Sequence, residues 1–251
     1  MVVFEPTKDW KIATVKSVQS ESKRVKLFRL ELPEETRFRA GQYFDVRLTA
    51  PDGYQAQRSY SVTSSPTEAP EIELAIELIN EGEVSSYFHE FVEPGDQIEI
   101  RGPVGGHFTL SPNFTKPLLL IAGGSGVAPI MSMLRQRQSV ESSASTILMF
   151  STRTEDDVLF RDELTELATQ DSNFELTLAL TRSHDAVAGD ELERQYRRID
   201  RPMIDSAIAK LKSLPARAYV CGGSDFVEAI GNHLLDIGMA HDDVRTERFG
   251  P

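Results

Sequence analysis

Cysteine is nearly absent from the chain, since Cys221 is the only cysteine among 251 residues. A single thiol cannot form an internal disulfide, nor can it alone supply the ligands of an iron–sulfur cluster or an all-cysteine zinc site. No apolar run approaches the about 20 residues that a membrane helix requires, and residues 1–10 lack the charged and then apolar pattern of a signal sequence. These absences predict a cytoplasmic protein with no membrane partner and no bound metal.

Cations are also scarce, with 27 Lys and Arg against 39 Asp and Glu and a formal net charge of −12. This acidity argues against nucleic acid as a partner, because the phosphate backbone attracts cationic surfaces. The charge is uneven: residues 1–47 carry a net charge of +3, whereas residues 59–100 contain ten Asp or Glu and no Lys or Arg. Two interpretations stay open, namely solvated strand faces or a dipolar surface that orients a charged protein partner.

The first half of the chain has the pattern of short strands. Residues 71–79 alternate Ile and Leu with Glu and Ala, which is the period of a strand with one buried face. Glycine and proline turns separate the segments. Further strands are predicted at 14–18, 25–32, 43–48 and 97–101, with one short helix at 85–91. Many short strands joined by such turns predict an antiparallel barrel or sandwich.

The second half changes period. Residues 118–122 form a continuous apolar run, as expected of a strand covered on both faces. Strand, loop and helix then alternate four times, which predicts a parallel α/β sheet with ligands at the carboxyl edge of its strands. The predicted strands are 118–122, 146–150, 175–180 and 218–221, and the predicted helices are 129–138, 160–169, 203–214 and 226–237. The boundary is expected near residues 110–116, which gives domains 1–112 and 113–251.

Two short stretches in the first half have residues suited to a nucleotide. Arg58-Ser59-Tyr60-Ser61 combines a guanidinium that can bind a diphosphate with an aromatic ring that can cover a flat heterocycle. An ordinary strand is the common reading of such a tetrapeptide. Gly82-Glu83-Val84-Ser85-Ser86 leads from a turn into a helix, which indicates either an anion site or a plain N-cap by Ser85.

Three glycine-containing stretches lie in the second half or at its border. Residues 101–108 form a loop that indicates only a turn between domains. Residues 123–129 connect a buried strand to a helix, so that their amides can approach a pyrophosphate closely; the stretch is neither a G-x-G-x-x-G fingerprint nor a Walker loop. Residues 219–225 end another strand with small residues against which a flat ligand can lie. No histidine partner for Cys221 is legible, which argues against a cysteine nucleophile.

In their order and spacing these stretches resemble the ferredoxin–NADP reductase superfamily, from about Trp10 to Phe249. The motifs are R-x-Y-S, G-x-V-S, G-P-x-G-x-x-F, G-G-S-G-x-A-P, C-G-G and E-x-F. The resemblance implies a flavin-binding antiparallel β-barrel in 1–112 and an NAD(P)-binding α/β domain in 113–251. It implies hydride transfer from NAD(P)H to bound FAD, with FMN as the alternative flavin, and then electron transfer to a separate acceptor protein. That acceptor would be ferredoxin-like, or an oxygenase, heme or molybdenum component.

The resemblance also implies residue roles. Arg58 would bind a flavin phosphate, Tyr60 would pack on the isoalloxazine and Ser61 would lie near flavin N5. Ser61, Cys221 and Glu247 are the catalytic candidates, with Glu247 as a proton relay. The remaining flavin-side candidates are Ser59, Gly82, Val84, Ser85, Ser86 and Phe249. On the nucleotide side, Gly124, Ser125 and Gly126 would face the pyrophosphate, while Cys221 and Gly222 would border the nicotinamide.

Arginines near the third strand of the second half bear on the choice of nucleotide. A 2′-phosphate requires cations near the ribose, and Thr181, Arg182 and Arg194, with Arg153 as a further candidate, resemble the pattern of NADP-using relatives. This favours NADPH, with NADH as the alternative. The opposing interpretation is that these arginines only solvate the surface.

Two other functions stay open. One is a reductase that releases reduced free flavin, and the other is a flavin-carrying subunit without its own NAD(P)H turnover. An acidic electron carrier could dock on the basic N-terminal residues Lys8, Lys11, Lys16, Lys23, Arg24, Lys26 and Arg29. No oligomeric state is predicted.

Overall fold

A computed structural model describes residues 9–33, 36–183 and 192–250. Within these ranges the chain forms twelve strands in two six-stranded sheets, together with five α-helices. It divides into two compact units, one of Met1–Pro112 with Met131–Glu141 and one of Asn113–Ile130 with Ser142–Pro251. These are called unit 1 and unit 2 below. The domain limits 1–112 and 113–251 stay a proposal, because one helix contributes residues to both units.

The sheet of unit 1 is antiparallel throughout. Its strands follow the order β4-β3-β6-β1-β2-β5, and a bridge between Val62 and Leu74 joins the two ends of that order. The sheet therefore closes on itself, as expected for the predicted barrel. The strands are β1 (Lys11–Ser20), β2 (Val25–Glu31), β3 (Tyr43–Thr49), β4 (Gln55–Ser61), β5 (Glu71–Glu77) and β6 (Gln97–Val104), and helix α1 is Glu83–Glu90.

The barrel core follows from the alternation along β5. Ile72, Leu74 and Ile76 all point inward and are fully buried, because successive side chains of a strand face opposite sides. Helix α1 contributes Phe88, whose ring meets Phe28 edge to face at 5.0 Å between centroids. Burying each such side chain stabilises the fold by about 1.5–3 kcal/mol. Helix α1 is thus held at a defined place on the barrel.

The sheet of unit 2 is parallel throughout, in the order β10-β9-β8-β7-β11-β12. The order reverses between β7 and β11, and ligands of open parallel sheets bind at the carboxyl ends beside such a reversal. The strands are β7 (Leu118–Gly123), β8 (Thr146–Thr152), β9 (Phe174–Leu180), β10 (Glu193–Gln195), β11 (Arg217–Gly222) and β12 (Val244–Arg248). The helices are α2 (Val127–Ser139), α3 (Arg161–Gln170), α4 (Arg201–Leu211) and α5 (Ser224–Asp236).

The sequence pattern predicted four of these six parallel strands and missed the two at the edges. Strand β10 reads Glu-Arg-Gln, and β12 reads Val-Arg-Thr-Glu-Arg. Neither has an apolar run, because an edge strand is covered on fewer sides than a central one. Both edges carry predicted site residues, namely Arg194 on β10 and Glu247 on β12.

Candidate cofactor sites

Strand β4 holds the predicted flavin residues of unit 1. Arg58 is exposed, and its Nη1 donates to the neighbouring carbonyl of Gln57 at 2.7 Å. The half-buried ring of Tyr60 packs against the core, with its centroid 6.4 Å from that of Phe88. Burial raises the pKa of Tyr60 to about 12, although the Arg58 charge opposes the shift. Tyr60 is therefore neutral at physiological pH and offers an aromatic face.

Ser61 differs from the other hydroxyls near it. The residue is only 5% exposed, yet its Oγ has no hydrogen-bond partner within the described residues. Ser59, two residues earlier, donates to Asp45 Oδ1 at 2.6 Å, and Asp45 also accepts from Arg101 Nη2 at 2.6 Å. A buried hydroxyl without a partner costs about 1–3 kcal/mol, so the Ser61 hydroxyl is the group on β4 that a ligand would satisfy.

The predicted phosphate stretch forms the start of helix α1. Gly82 is the N-cap, and a Cβ on Gly82 would lie 2.6 Å from Ser85 Oγ. The buried Ser85 hydroxyl accepts from the Ile79 amide at 3.1 Å and donates to the Gly82 carbonyl at 3.3 Å. The Ser85 hydroxyl therefore stabilises the turn through these two hydrogen bonds. The first-turn amides, including those of Val84 and Ser85, are the groups that remain to bind an anion. Ser86 already donates its amide to the Gly82 carbonyl.

An acidic side chain, which the motif pattern did not single out, accompanies this predicted anion site. Glu83 lies in the first turn of α1, and its two carboxylate oxygens are 2.9 and 3.0 Å from the Tyr54 hydroxyl. This hydrogen bond raises the pKa of Tyr54. A carboxylate at a helix start stabilises the helix, but its charge opposes a bound diphosphate.

In unit 2 the glycine loop packs against the end of β11. Gly124 has a left-handed backbone with φ +55°, and a Cβ on Gly126 would lie 2.3 Å from the Cys221 carbonyl oxygen. No side chain larger than hydrogen fits there. The structure thus brings Gly124, Ser125 and Gly126 next to Cys221 and Gly222, at the reversal of strand order.

Buried Cys221 and half-buried Glu247 are register partners on the neighbouring strands β11 and β12. Burial, with the nearby Glu247 carboxyl, raises the pKa of the Cys221 thiol well above its usual range, so the thiol stays protonated. Burial raises the pKa of Glu247 to about 7. Within the described ranges Glu247 Oε2 has no hydrogen-bond partner. The Phe249 amide donates to the Gly222 carbonyl at 2.9 Å, which fixes the chain just after Glu247.

The four predicted ribose-side residues do not share one environment. The Arg182 amide donates to the Arg153 carbonyl at 2.8 Å, and both side chains are exposed. Thr181 Oγ1 donates a hydrogen bond to the Thr152 carbonyl at 3.1 Å. The Arg194 side chain is only 6% exposed and forms an ion pair with Glu155. Arg153 and Arg182 are therefore the accessible cations.

Glu155 is a second residue that the sequence reading missed. It follows β8, the second strand of unit 2 along the chain, and its Oε1 forms the ion pair with Arg194. Its other oxygen lies 3.4 Å from Arg161 Nη1. Two arginines thus neutralise this carboxylate.

The uneven charge of the sequence is largely resolved by strand pairing. Strands β2 and β5 are neighbours, with Arg29 opposite Glu73. The Arg29 guanidinium lies 2.9 Å from Glu68 and 3.3 Å from Glu71, and Arg24 lies 3.9 Å from Glu77. The basic and acidic stretches therefore offset each other locally, which weakens the dipolar interpretation.

Comparison with known proteins identifies both halves of the chain. Residues 12–109 match the oxidoreductase FAD-binding domain family, and residues 120–232 match the oxidoreductase NAD-binding domain family. A ferredoxin–NADP reductase B from Sorangium cellulosum is 31% identical over 214 residues, which cover 84% of this chain and 85% of the relative. The chain belongs to the ferredoxin–NADP reductase superfamily. It is an FAD- and NAD(P)-binding oxidoreductase, as the motifs predicted.

Other relatives in this superfamily are longer than the chain. The reductase component of propane 2-monooxygenase from Mycolicibacterium smegmatis is 27% identical over 86% of this chain but only 60% of its own length. A ferredoxin–NAD(P)(+) reductase component of naphthalene dioxygenase and salicylate hydroxylase systems from Ralstonia is 26% identical over 100% of this chain and 72% of its own length. The relatives include reductase components that serve separate oxygenases.

Solved structures share the fold. A cytochrome P450 reductase from Amycolatopsis has a TM-score of 0.81 at 24% identity, covering 97% of this chain and 70% of that one. A ferredoxin NADP+ reductase from Neisseria gonorrhoeae, with bound FAD and NADP, has a TM-score of 0.79 at 23% identity over 96% of this chain and 99% of that one. The predicted two-domain fold of this reductase is thereby confirmed. In the described part of the chain, no helix is long and apolar enough to cross a membrane.

Proposed function

We propose that this reductase binds FAD through β4 and the start of α1, binds NAD(P)H through the glycine loop and the end of β11, and passes electrons to a separate acceptor protein. The observation that carries the proposal is Ser61, whose buried hydroxyl lacks a partner on the strand that also presents Arg58 and Tyr60. The acceptor class stays open between a ferredoxin-like protein and an oxygenase, heme or molybdenum component.

Both candidate sites have glycines where the backbone is closely approached by neighbouring atoms. Gly82 and Gly126 lie at helix or turn starts where a Cβ would collide with neighbouring atoms at 2.6 and 2.3 Å. Such positions let backbone amides approach a phosphate closely. Arg58 would add a guanidinium to the flavin phosphates.

When bound, the nicotinamide would supply a hydride, and the flavin would carry electrons between NAD(P)H and the acceptor. The chain's own groups position the rings and hold protons. Tyr60 offers a neutral aromatic face, and Ser61 offers a hydroxyl that can donate or accept a hydrogen bond. Glu247, with a pKa of about 7, can hold or release a proton at physiological pH. Cys221, which is protonated and buried, would pack against the nicotinamide rather than act as a nucleophile.

An anaerobic absorbance titration tests this proposal. The FAD-loaded chain should lose its oxidised-flavin absorbance on addition of NADPH or NADH, and should reduce ferricyanide continuously. We expect Ser61→Ala to slow flavin reduction by about tenfold or more, since one hydrogen bond to a buried polar group is lost. Ser206→Ala, which removes an exposed hydroxyl of α4, is the matched control.

Two results would contradict the proposal. A chain that binds no FAD would refute the roles of Arg58, Tyr60 and Ser61. A flavin that stays oxidised with both nucleotides would favour a flavin-carrying subunit without its own turnover.

We propose that the nucleotide is NADPH, because the accessible Arg153 and Arg182 could bind its 2′-phosphate. The ion pair between Arg194 and Glu155 removes one predicted phosphate ligand, so NADH stays the alternative. Arg182→Ala should raise the KM for NADPH by about tenfold and leave that for NADH unchanged, because a charged hydrogen bond to the 2′-phosphate is lost. Equal effects on both nucleotides would contradict a 2′-phosphate contact, and Arg201→Ala on α4 is the control.

A second candidate is a reductase that releases reduced flavin. The observation that favours it is Glu83, whose carboxylate stands in the first turn of α1 beside the proposed phosphate site. If the chain loses its flavin during gel filtration and turns over added FAD and FMN alike, this second function replaces the first.

A further inference from the structure

The segment that follows Ser61 is held more tightly than a connecting loop requires. Residues 62–65 are at most 2% exposed. The Val62 amide donates to the Gln42 carbonyl at 3.0 Å, and the Thr63 amide donates to the Glu73 carbonyl at 2.8 Å. Since the hydroxyl of Ser61 has no partner in the described structure, the backbone of this segment sets where that hydroxyl points.

A buried carboxylate lies beside the segment. Glu73 Oε1 accepts from Thr63 Oγ1 at 2.7 Å and from Arg135 Nη1 at 2.7 Å. The Glu73 amide donates to Ser64 Oγ at 3.0 Å, and Arg29 Nη2 lies 3.9 Å from Glu73 Oε2. The side chains of Arg135 and Glu73 are 17% and 12% exposed. The ion pair is therefore largely withdrawn from water.

Helix α2 binds the same segment along one face. Arg135 Nη1 also donates to the Thr63 carbonyl at 3.1 Å, and Ser132 Oγ donates to the Ser64 carbonyl at 2.7 Å. Ser139 Oγ lies 3.2 Å from Ser65 Oγ. These helix residues are spaced by three and four, so they share a face. They contact three consecutive residues of the segment, Thr63, Ser64 and Ser65.

A buried ion pair contributes little net stability compared with well-packed apolar side chains, but it can specify one arrangement among several. Here the charged pair and the serine fix two carbonyls and one hydroxyl directly after the flavin strand. We propose that Arg135 and Glu73, assisted by Ser132, are positioning residues for the flavin, which act by fixing Ser61 through the backbone of residues 62–64. This inference rests on the proposed function of Ser61.

The test uses the whole chain saturated with FAD. Arg135→Lys keeps the charge but cannot reach Glu73 and the Thr63 carbonyl with one planar group, and Ser132→Ala removes a single hydrogen bond. Arg201→Lys, in the exposed ion pair with Asp205 on α4, is the matched control. The readouts are the flavin absorbance spectrum, the midpoint potential and the rate of flavin reduction, with the thermal unfolding midpoint measured beside them.

We expect Arg135→Lys to slow flavin reduction by about tenfold, the effect of losing one charge-assisted hydrogen bond, and to shift the spectrum and potential in the direction of Ser61→Ala. In a Ser61→Ala background the same change should have little further effect on the potential, because both act through one hydroxyl. Arg201→Lys should leave all three flavin readouts unchanged.

The contrary results are distinct. If Arg135→Lys and Ser132→Ala lower only the unfolding midpoint and leave the spectrum, potential and rate of bound flavin unchanged, the ion pair is merely structural and the inference is wrong. If Arg135→Lys acts equally with and without Ser61, positioning through Ser61 is wrong. A wild-type chain that binds no FAD would overturn the proposed function and this inference together.

Discussion

At the scale of single residues, two of the candidate site residues have polar atoms that the fold leaves without partners. Ser61 Oγ and Glu247 Oε2 are both buried without a hydrogen bond among the described residues. Native folds pair most buried polar atoms, so each exception requires a reason. For Ser61 the proposed reason is a hydrogen bond to flavin. For Glu247 the raised pKa of about 7 lets the carboxyl stay protonated below that pH.

Glu247 should make the stability of the chain depend on pH. Its folded pKa of about 7 lies above its ordinary 4.5, so between these values the folded chain holds a proton that the unfolded chain releases. The free energy of unfolding should therefore fall as the pH rises through this window, by roughly 2 kcal/mol from this one group after allowance for its partial exposure. Above about pH 8 the contribution is constant.

Urea unfolding of the chain at a series of pH values, from about 5 to about 8, checks this expectation against Glu247→Gln. The glutamine variant should lack this component of the decline, since it has no proton to release. Parallel pH profiles for the two proteins would show that Glu247 titrates at its ordinary value.

At the scale of elements, both proposed phosphate sites lie where a helix or turn starts, and each uses glycine for a different reason. Gly82 caps α1 closely over Ser85, whereas Gly126 allows the loop after β7 to touch the end of β11. In each case the absence of a Cβ brings backbone amides near the place proposed for a phosphate.

Gly126→Ala should damage the nucleotide site. The added Cβ would meet backbone atoms of Cys221 at 2.3 and 2.6 Å, so the loop or β11 must move, at an expected cost of about 1–3 kcal/mol. Gly231→Ala in α5 is the control, because no atom lies within 4 Å of its Cβ and helix propensity should stabilise it by roughly 0.5–1 kcal/mol.

Thermal unfolding measures the stability of the two alanine variants, and NAD(P)H titration measures their nucleotide affinity. We expect Gly126→Ala to unfold earlier and to bind the nucleotide more weakly, while Gly231→Ala binds it normally. Normal nucleotide affinity in Gly126→Ala would remove the loop from the proposed site.

Glu83→Gln should strengthen FAD binding. Removing a negative charge from the first turn of α1 leaves the helix start more favourable to a diphosphate, and an interaction of about 0.3–1 kcal/mol corresponds to roughly two- to fivefold in affinity. Glu90→Gln removes the same charge from the other end of α1 and should have little effect. Flavin fluorescence titration measures both; an equal gain in the two variants would indicate overall charge rather than a local site.

At the scale of the whole molecule, the net charge of −12 sets the long-range electrostatic interaction with a charged acceptor. The basic stretch that suggested an acidic electron carrier is partly neutralised, since Lys16 lies 2.9 Å from Glu31 and Arg29 faces three glutamates. The long-range field of the described fold therefore favours a cationic approach over an anionic one.

Two small oxidants of opposite charge distinguish a field that favours cationic acceptors from one that favours anionic acceptors. As ionic strength rises from about 10 mM to about 200 mM, screening should speed the reduction of anionic ferricyanide and slow that of cationic hexaammineruthenium(III). Turnover with NADPH at saturation provides the measurement. The opposite pair of slopes would reveal a positive field at the point of electron exit and would revive docking of an acidic carrier to the basic stretch.

The sequence by itself determined the superfamily, the two kinds of sheet and the motif residues, because strand alternation, apolar runs and glycine turns are local patterns that act wherever they occur. Arg58, Tyr60 and Ser61 are neighbours in sequence, so their common strand was predictable. The edge strands β10 and β12 were not, since few apolar contacts specify them. Only the tertiary structure decided which charges meet. Arg135 pairs with Glu73, which is 62 residues away in sequence, and Arg194 pairs with Glu155, which is 39 residues away. Strand order and helix packing bring these partners together, and no local sequence pattern encodes the pairing.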